Sequence, residues 1–389
     1  MTSAARVRRP STWLLGLAPL ALVAALVVAF LAFDPPGLDR HGVPIENIAV
    51  ERTVLRPGEI RLQLRNDGPD PVRIAQVIVN DAYIPTADIS SPEVGRLGSS
   101  TIRIPYAWVE AQSYDISLLT STGGTIAVPI AAATETPSGD AGFFGLMALL
   151  GLYVGVIPVT LGLLWLPWLR RVGPTAIRFL LALTVGLLLF LAVDATFEGL
   201  SIAGGGPQAF GGPALVILGA IAAFLVLSAA DAWISARRGG TAGGRLALLI
   251  ALGIGLHNLG EGLAIGSAYA IGELALGAFL VVGFALHNTT EGLAVVAPLA
   301  NERPGWRRLA LLGALAGAPA VLGAWVGGVA YSAPAAAFML GLGVGAILQV
   351  ALQILPAVRD GESGKALTPL TAGGLATGLA IMYATSLMV

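Results

Sequence analysis

From residue 142 onward the chain is a succession of long apolar runs separated by short polar or glycine-rich segments. Eight runs stand out, at 142–168, 175–197, 212–235, 246–269, 274–298, 308–330, 335–356 and 368–388. Each reaches the ~20 residues that a helix needs to cross a bilayer. An earlier run at 12–33 follows Arg6, Arg8 and Arg9. It is longer than the ~7–15-residue core of a cleaved signal peptide. It is therefore expected to be a transmembrane signal anchor, with residues 1–11 as a cytoplasmic N-terminus.

Between these regions, residues 40–135 change period. Glu59–Arg65, Val72–Val79, Ser100–Ile104 and Tyr114–Leu119 alternate apolar and polar positions. Turn clusters such as Asn66-Asp-Gly-Pro-Asp70 separate them, the pattern of half-buried strands. About seven short strands over ~90 residues predict an immunoglobulin- or cupredoxin-like β-sandwich. A copper-binding cupredoxin is excluded, because the stretch holds one histidine, His41, and no cysteine, whereas that site takes two His and a Cys. The sandwich is expected to bind an unknown partner or act as a spacer.

Composition agrees with the membrane reading. Hydrophobic residues make up 56%, charged residues 12%, and the mean hydropathy is +0.81. The 51 glycines suit helices that approach closely in lipid. The absence of cysteine removes disulfides, thiolate metal sites and thiol catalysis. No basic tract points to nucleic acid. The loops between runs alternate in charge: the odd-numbered ones carry Arg170 and Arg171, Arg237 and Arg238, Arg303 and Arg307, then Arg359 and Lys365, whereas the second, fourth and sixth have no Lys or Arg. By the positive-inside rule the odd loops face the cytoplasm, and the sandwich and the C-terminus lie outside the cell membrane.

The chemistry concentrates in two runs. Leu256-His-Asn-Leu-Gly-Glu-Gly-Leu-Ala264 and Leu286-His-Asn-Thr-Thr-Glu-Gly-Leu-Ala294 agree at all but two positions and lie thirty residues apart. Two of the chain's three histidines head them. His257 with Glu261, and His287 with Glu291, are spaced i to i+4, so each pair shares a helical face. Asn258 and Asn288 lie roughly 100° round the helix from the histidines. Ionisable groups near a bilayer centre cost at least ~2.5–3.5 kcal/mol each and need compensation. A divalent cation supplies it, since imidazole, carboxylate and amide oxygen all ligate zinc and its neighbours. Asp194 and Glu198, near the outer end of the second run, would attract cations to an entrance or simply sit at the wet interface. Gln349 and Gln353 would line a pathway or hydrogen-bond between helices.

The doubled His-Asn-x-x-Glu-Gly motif resembles the fourth and fifth helices of the ZIP (Zrt/Irt-like) metal transporters, in particular their bacterial GufA- and ZupT-like branch. The resemblance implies a ZIP-like bundle of eight helices over 142–389, inward transport of a divalent metal, and two helix groups that shift against each other. It also implies a homodimer, and a metal site of His257, Glu261, His287 and Glu291, with Asn258 and Asn288 contributing to a neighbouring one. Zn2+ is the first expectation for the substrate, ahead of Fe2+, Mn2+, Co2+ or Cd2+, and no organic cofactor is implied. Ala320 and Gln353 stand where the family carries carboxylates, which favours a single ion. An enzyme is not expected, since no His-Glu-x-x-His occurs. The remaining alternative is a metal-sensing or scaffold protein that binds metal without moving it.

Overall fold

The computed structural model describes residues 12–32, 44–236, 241–270, 274–329, 332–359, 365 and 367–387. His41, Arg237, Arg238 and Glu273 lie outside them. The chain divides into two compact units, residues 1–45 and 46–389. Within the first, α1 (Thr12–Ala32) is an apolar helix with Pro19 inside it.

The second unit begins with β structure. Its strands are β1 (Ile48–Arg56), β2 (Glu59–Asn66), β3 (Val72–Val79), β4 (Ala82–Tyr83), β5 (Asp88–Ile89), β6 (Glu93–Val94), β7 (Ser99–Pro105), β8 (Tyr114–Thr120) and β9 (Thr125–Ile130). Two more strands than expected are counted because three are only two residues long. One sheet has the order β1-β2-β7-β5; the other runs β4-β3-β8-β9, with β6 also on β3. All pairings are antiparallel.

Alternation decides what each strand buries. Ile60, Leu62 and Leu64 of β2 meet Ile102 and Ile104 of β7 and, from the other sheet, Val77, Val79, Ile116 and Leu118 in one apolar core. Strand β3 breaks the alternation: Ala75 and Gln76 both face out. A register shift between Ile74 and Gln76 against β8 adds one residue there. The bulge restores Val77 and Val79 to the core.

Asp140 makes the transition into the helices. Its carboxylate accepts the Phe143 N–H at 2.8 Å and caps α2 (Ala141–Gly151). That hydrogen bond holds the exposed Asp140 carboxyl below its ordinary range. A depressed carboxyl stabilises the fold at pH above the usual carboxylate range, and that contribution is lost as pH falls through the lowered value. Asp140→Ala should therefore lower the melting temperature in detergent at neutral pH, by an amount that shrinks to nothing in acid. An unchanged difference across the titration would deny the cap this role.

Among the described residues, six helical stretches are long and apolar enough to cross a membrane: Ala141–Leu169, Pro174–Gly205, Ala214–Trp233, Ala242–Tyr269, Trp306–Val329 and Ala333–Val358. The chain is thus a multi-pass membrane protein. The first stretch contains α2, a π-helical turn (Leu152–Val156), α3 (Ile157–Leu163) and α4 (Leu166–Leu169). Next come α5 (Pro174–Gly205), α6 (Ala214–Ala236) and α7 (Ala242–Ala270). The fifth stretch holds α9 (Trp306–Gly317) and α10 (Pro319–Val329), and the sixth is α11 (Ala333–Val358). The two other expected spans are helical as well, as α8 (Leu274–Val296) and α12 (Pro369–Ser386).

Two spans read as uninterrupted differ. The π turn widens the first ahead of Pro158, and the fifth breaks at Ala318 ahead of Pro319. Proline supplies no N–H and crowds the preceding turn, which is the physical reason for both.

The sandwich touches the helices of its own unit at two places. The Gln208 backbone N–H, in the short 3-10 turn after α5, donates to Asp67 at 2.6 Å, and the Arg65 guanidinium lies 5.1 Å from the Phe210 ring centroid. At the end of α10, Arg52 donates to the Val329 carbonyl at 3.3 Å.

Candidate metal centre

Helices α7 and α8 run unbroken through both motifs and pack side by side. Their close packing onto neighbours depends on the glycine that ends each motif. A Cβ on Gly262 would run into the Ala320 carbonyl of α10, and one on Gly292 into the Val159 carbonyl of α3. The contacts are reciprocal. Gly323 of α10 meets the Leu259 carbonyl, and Gly162 of α3 meets that of Thr289. Val159 and Ala320 each follow a proline by one residue, and Gly162 and Gly323 by four. Each motif helix is therefore seated on a proline-broken partner by the same set of contacts, α7 on α10 and α8 on α3.

This packing brings the motif side chains together in the interior. His257, Asn258, Glu261, His287, Asn288 and Glu291 are all at least nine-tenths buried. The two imidazole centroids lie 6.5 Å apart, and Phe284 meets the His287 ring edge-on at 5.6 Å. One atom each from His257, His287 and Glu291 fall within 4.8 Å of one another, close enough to bind a single metal ion.

The two glutamates are not equivalent. Glu261 Oε1 lies 2.6 Å from His287 Nε2 and 3.2 Å from His257 Nε2. Its other oxygen accepts from Asn288 Nδ2 at 2.8 Å. The His257 approach is within ion-pair reach, but its geometry makes no hydrogen bond and leaves His257 Nε2 without a partner. Glu291 has no hydrogen-bond partner at either oxygen, and the Oδ1 atoms of Asn258 and Asn288 have none. Buried polar groups are almost always hydrogen-bonded. An unpaired carboxylate beside an unpaired imidazole nitrogen is the arrangement a cation would complete, and the imidazole–carboxylate donor set fits zinc and its neighbours.

A cavity of about 160 Å3 reaches His257, Glu261 and His287. Asp194 and Glu198 of α5 line it, as do Thr385 and Ser386 of α12. The acidic pair thus shares a cavity with the buried site. Gln349 and Gln353 do not line it. Among the described residues no hydrogen bond reaches Gln349 Oε1 or either amide atom of Gln353. Ala320 is fully buried where α7 crosses α10, a packing role in place of a ligand. Asp231 pairs with Arg245 at 3.9 Å across the ends of α6 and α7.

The backbone groups at the site were not foreseeable from the motifs alone. Asn288 Nδ2 also donates to the Val154 carbonyl in the π turn, at 3.0 Å, and Asn258 Nδ2 donates to that of Ala316, at 3.0 Å. Pro158 was the signal in the sequence for the open Val154 carbonyl, since it stands four residues on and has no N–H. No family model matches the chain, and no curated protein matches it.

Proposed function

We propose that this protein is a ZIP-like transporter of a divalent transition metal, with Zn2+ as the first candidate, carrying it inward through the site between α7 and α8. One observation carries the reading: His257, His287 and Glu291 converge within 4.8 Å in the interior of a membrane protein, and Glu291 lacks any hydrogen-bond partner. The doubled motif supports the family, and two imidazoles favour zinc and its neighbours over calcium. In this reading α8 and α12 complete an eight-helix bundle. The loop charges place the sandwich and the C-terminus outside the cell membrane, with α1 as its anchor. The cavity beside Asp194 and Glu198 is then the entrance, and an acidic lining raises the local concentration of cations. Two carboxylates among neutral imidazoles would balance the charge of the dication during its passage through lipid.

The test is entry of Zn2+ into proteoliposomes containing the purified protein and an internal indicator dye. Wild type should show saturable entry that His257→Ala abolishes. Entry unaffected by that substitution would place transport elsewhere. A second reading, a sensor or scaffold that binds metal without moving it, is favoured by Ala320 and Gln353 at positions where the family carries carboxylates. Zinc binding without entry in wild type would decide for it.

A further inference from the structure

The role of the motif asparagines follows from which end of each amide is engaged. Asn288 is fully buried, and its Nδ2 stands between two acceptors, Glu261 Oε2 at 2.8 Å and the Val154 carbonyl at 3.0 Å. Only an NH2 group can occupy that place, because an amide oxygen there would face two other oxygens with no proton between them. Both amide hydrogens are therefore used. Nδ2 is thereby committed to holding Glu261, and Oδ1 accepts no hydrogen bond.

The carbonyl on the other side of the amide is available for a reason written in the chain. In a regular helix the Val154 carbonyl would accept from the residue four positions on, which is Pro158 and has no N–H. The opposite half has a related contact. Asn258 Nδ2 donates to the Ala316 carbonyl, three residues before Pro319. By the same rule the regular donor to the Ala316 carbonyl is Ala320, so the missing N–H of Pro319 does not account for this contact; it lies where α9 ends, at Gly317. Glu261 is held by its asparagine, whereas Asn258 comes near Glu291 without reaching hydrogen-bond geometry.

We propose that Asn288 is a positioning residue: through Nδ2 it ties the Glu261 carboxylate to the Val154 carbonyl of the first span, and this tie sets the metal affinity of the site. The inference rests on the metal reading for its consequence, namely that Glu261 is pre-set across both imidazoles before a cation arrives. The tie itself does not depend on that reading.

Asn288→Asp separates the two roles. A ligand exchanged for a charged ligand should keep or strengthen metal binding, whereas a donor exchanged for an acceptor between two acceptors should weaken it. Zn2+ affinity, titrated calorimetrically on the full-length protein in detergent, should fall at least tenfold in Asn288→Asp. Unchanged or tighter binding would overturn the proposal.

A second measurement reads the tie without metal. The chain has six asparagines, at 47, 66, 80, 258, 288 and 301, so selective 15N-asparagine labelling yields a readable side-chain spectrum. The Asn288 NH2 signals should exchange slowly with solvent deuterium in wild type. In Pro158→Ala they should shift and lose protection, because the new N–H competes for the Val154 carbonyl. An Asn288 amide indifferent to Pro158→Ala would overturn the proposal. If wild type binds no divalent cation, the metal reading fails by itself, and this spectrum still decides whether the tie exists.

Discussion

Glu291→Gln should abolish high-affinity metal binding and leave the metal-free protein at least as stable as wild type. The carboxylate is buried with neither oxygen hydrogen-bonded, and an unpaired buried charge costs several kcal/mol. Its neutral isostere removes that cost while keeping the shape. A lost ligand should weaken Zn2+ binding by about 100-fold or more, equivalent to roughly 2.7 kcal/mol. Melting in the presence of a chelator, paired with calorimetric titration of Zn2+, reads both quantities. A variant that binds zinc as tightly as wild type would remove Glu291 from the ligand set.

Glu261→Ala should behave in the opposite way without metal. Glu261 is the shared acceptor for His287 and Asn288 and sits 3.2 Å from His257. Its removal leaves buried donors facing nothing, a loss of about 3–5 kcal/mol for breaking one partner out of a buried polar cluster. The metal-free protein should melt well below wild type, and zinc binding should also be lost. A Glu261→Ala protein that melts like wild type in chelator would show that this cluster does not hold α7 to α8. The opposite signs of the two glutamate variants distinguish a structural acceptor from a ligand, although the sequence presents the two positions as copies.

The extent to which the chain could be read from its residues follows from what each signal encodes. The helices and strands were legible because hydropathy has a period. Both motifs were legible because a histidine and a glutamate are costly within an apolar span, and their repetition at one spacing requires a shared cause. The inequality of Glu261 and Glu291 was not legible. It arises from how α7 and α8 are placed against each other, and the i, i+4 spacing is identical in both. The π turn and the break at Ala318 were hidden because an interrupted span is as apolar as a continuous one. Pro158 and Pro319 marked them only to a reader asking which carbonyls would go without a donor. In the sandwich, Ala75 and Gln76 show the same limit: a bulge changes the phase of a strand without changing its composition.

The length of α5 has a consequence for the medium outside. Its 32 residues measure about 48 Å at 1.5 Å per residue, against a hydrocarbon core of ~30 Å. Even a tilt of ~40°, the upper end of what such helices adopt, leaves its last turns beyond the lipid tails. Measured from Arg178, Asp194 lies about 24 Å and Glu198 about 30 Å along the axis, at the far edge of the core. Asp194 is exposed and Glu198 partly so. In the proposed topology these two carboxylates would stand at the outer water, where fields decay over ~8 Å at physiological salt. His257, His287 and Glu291 are buried within the protein, where screening is weaker. In the proposed transporter, salt would slow the capture of a cation at such a mouth more than it would weaken a cation's hold in the buried site.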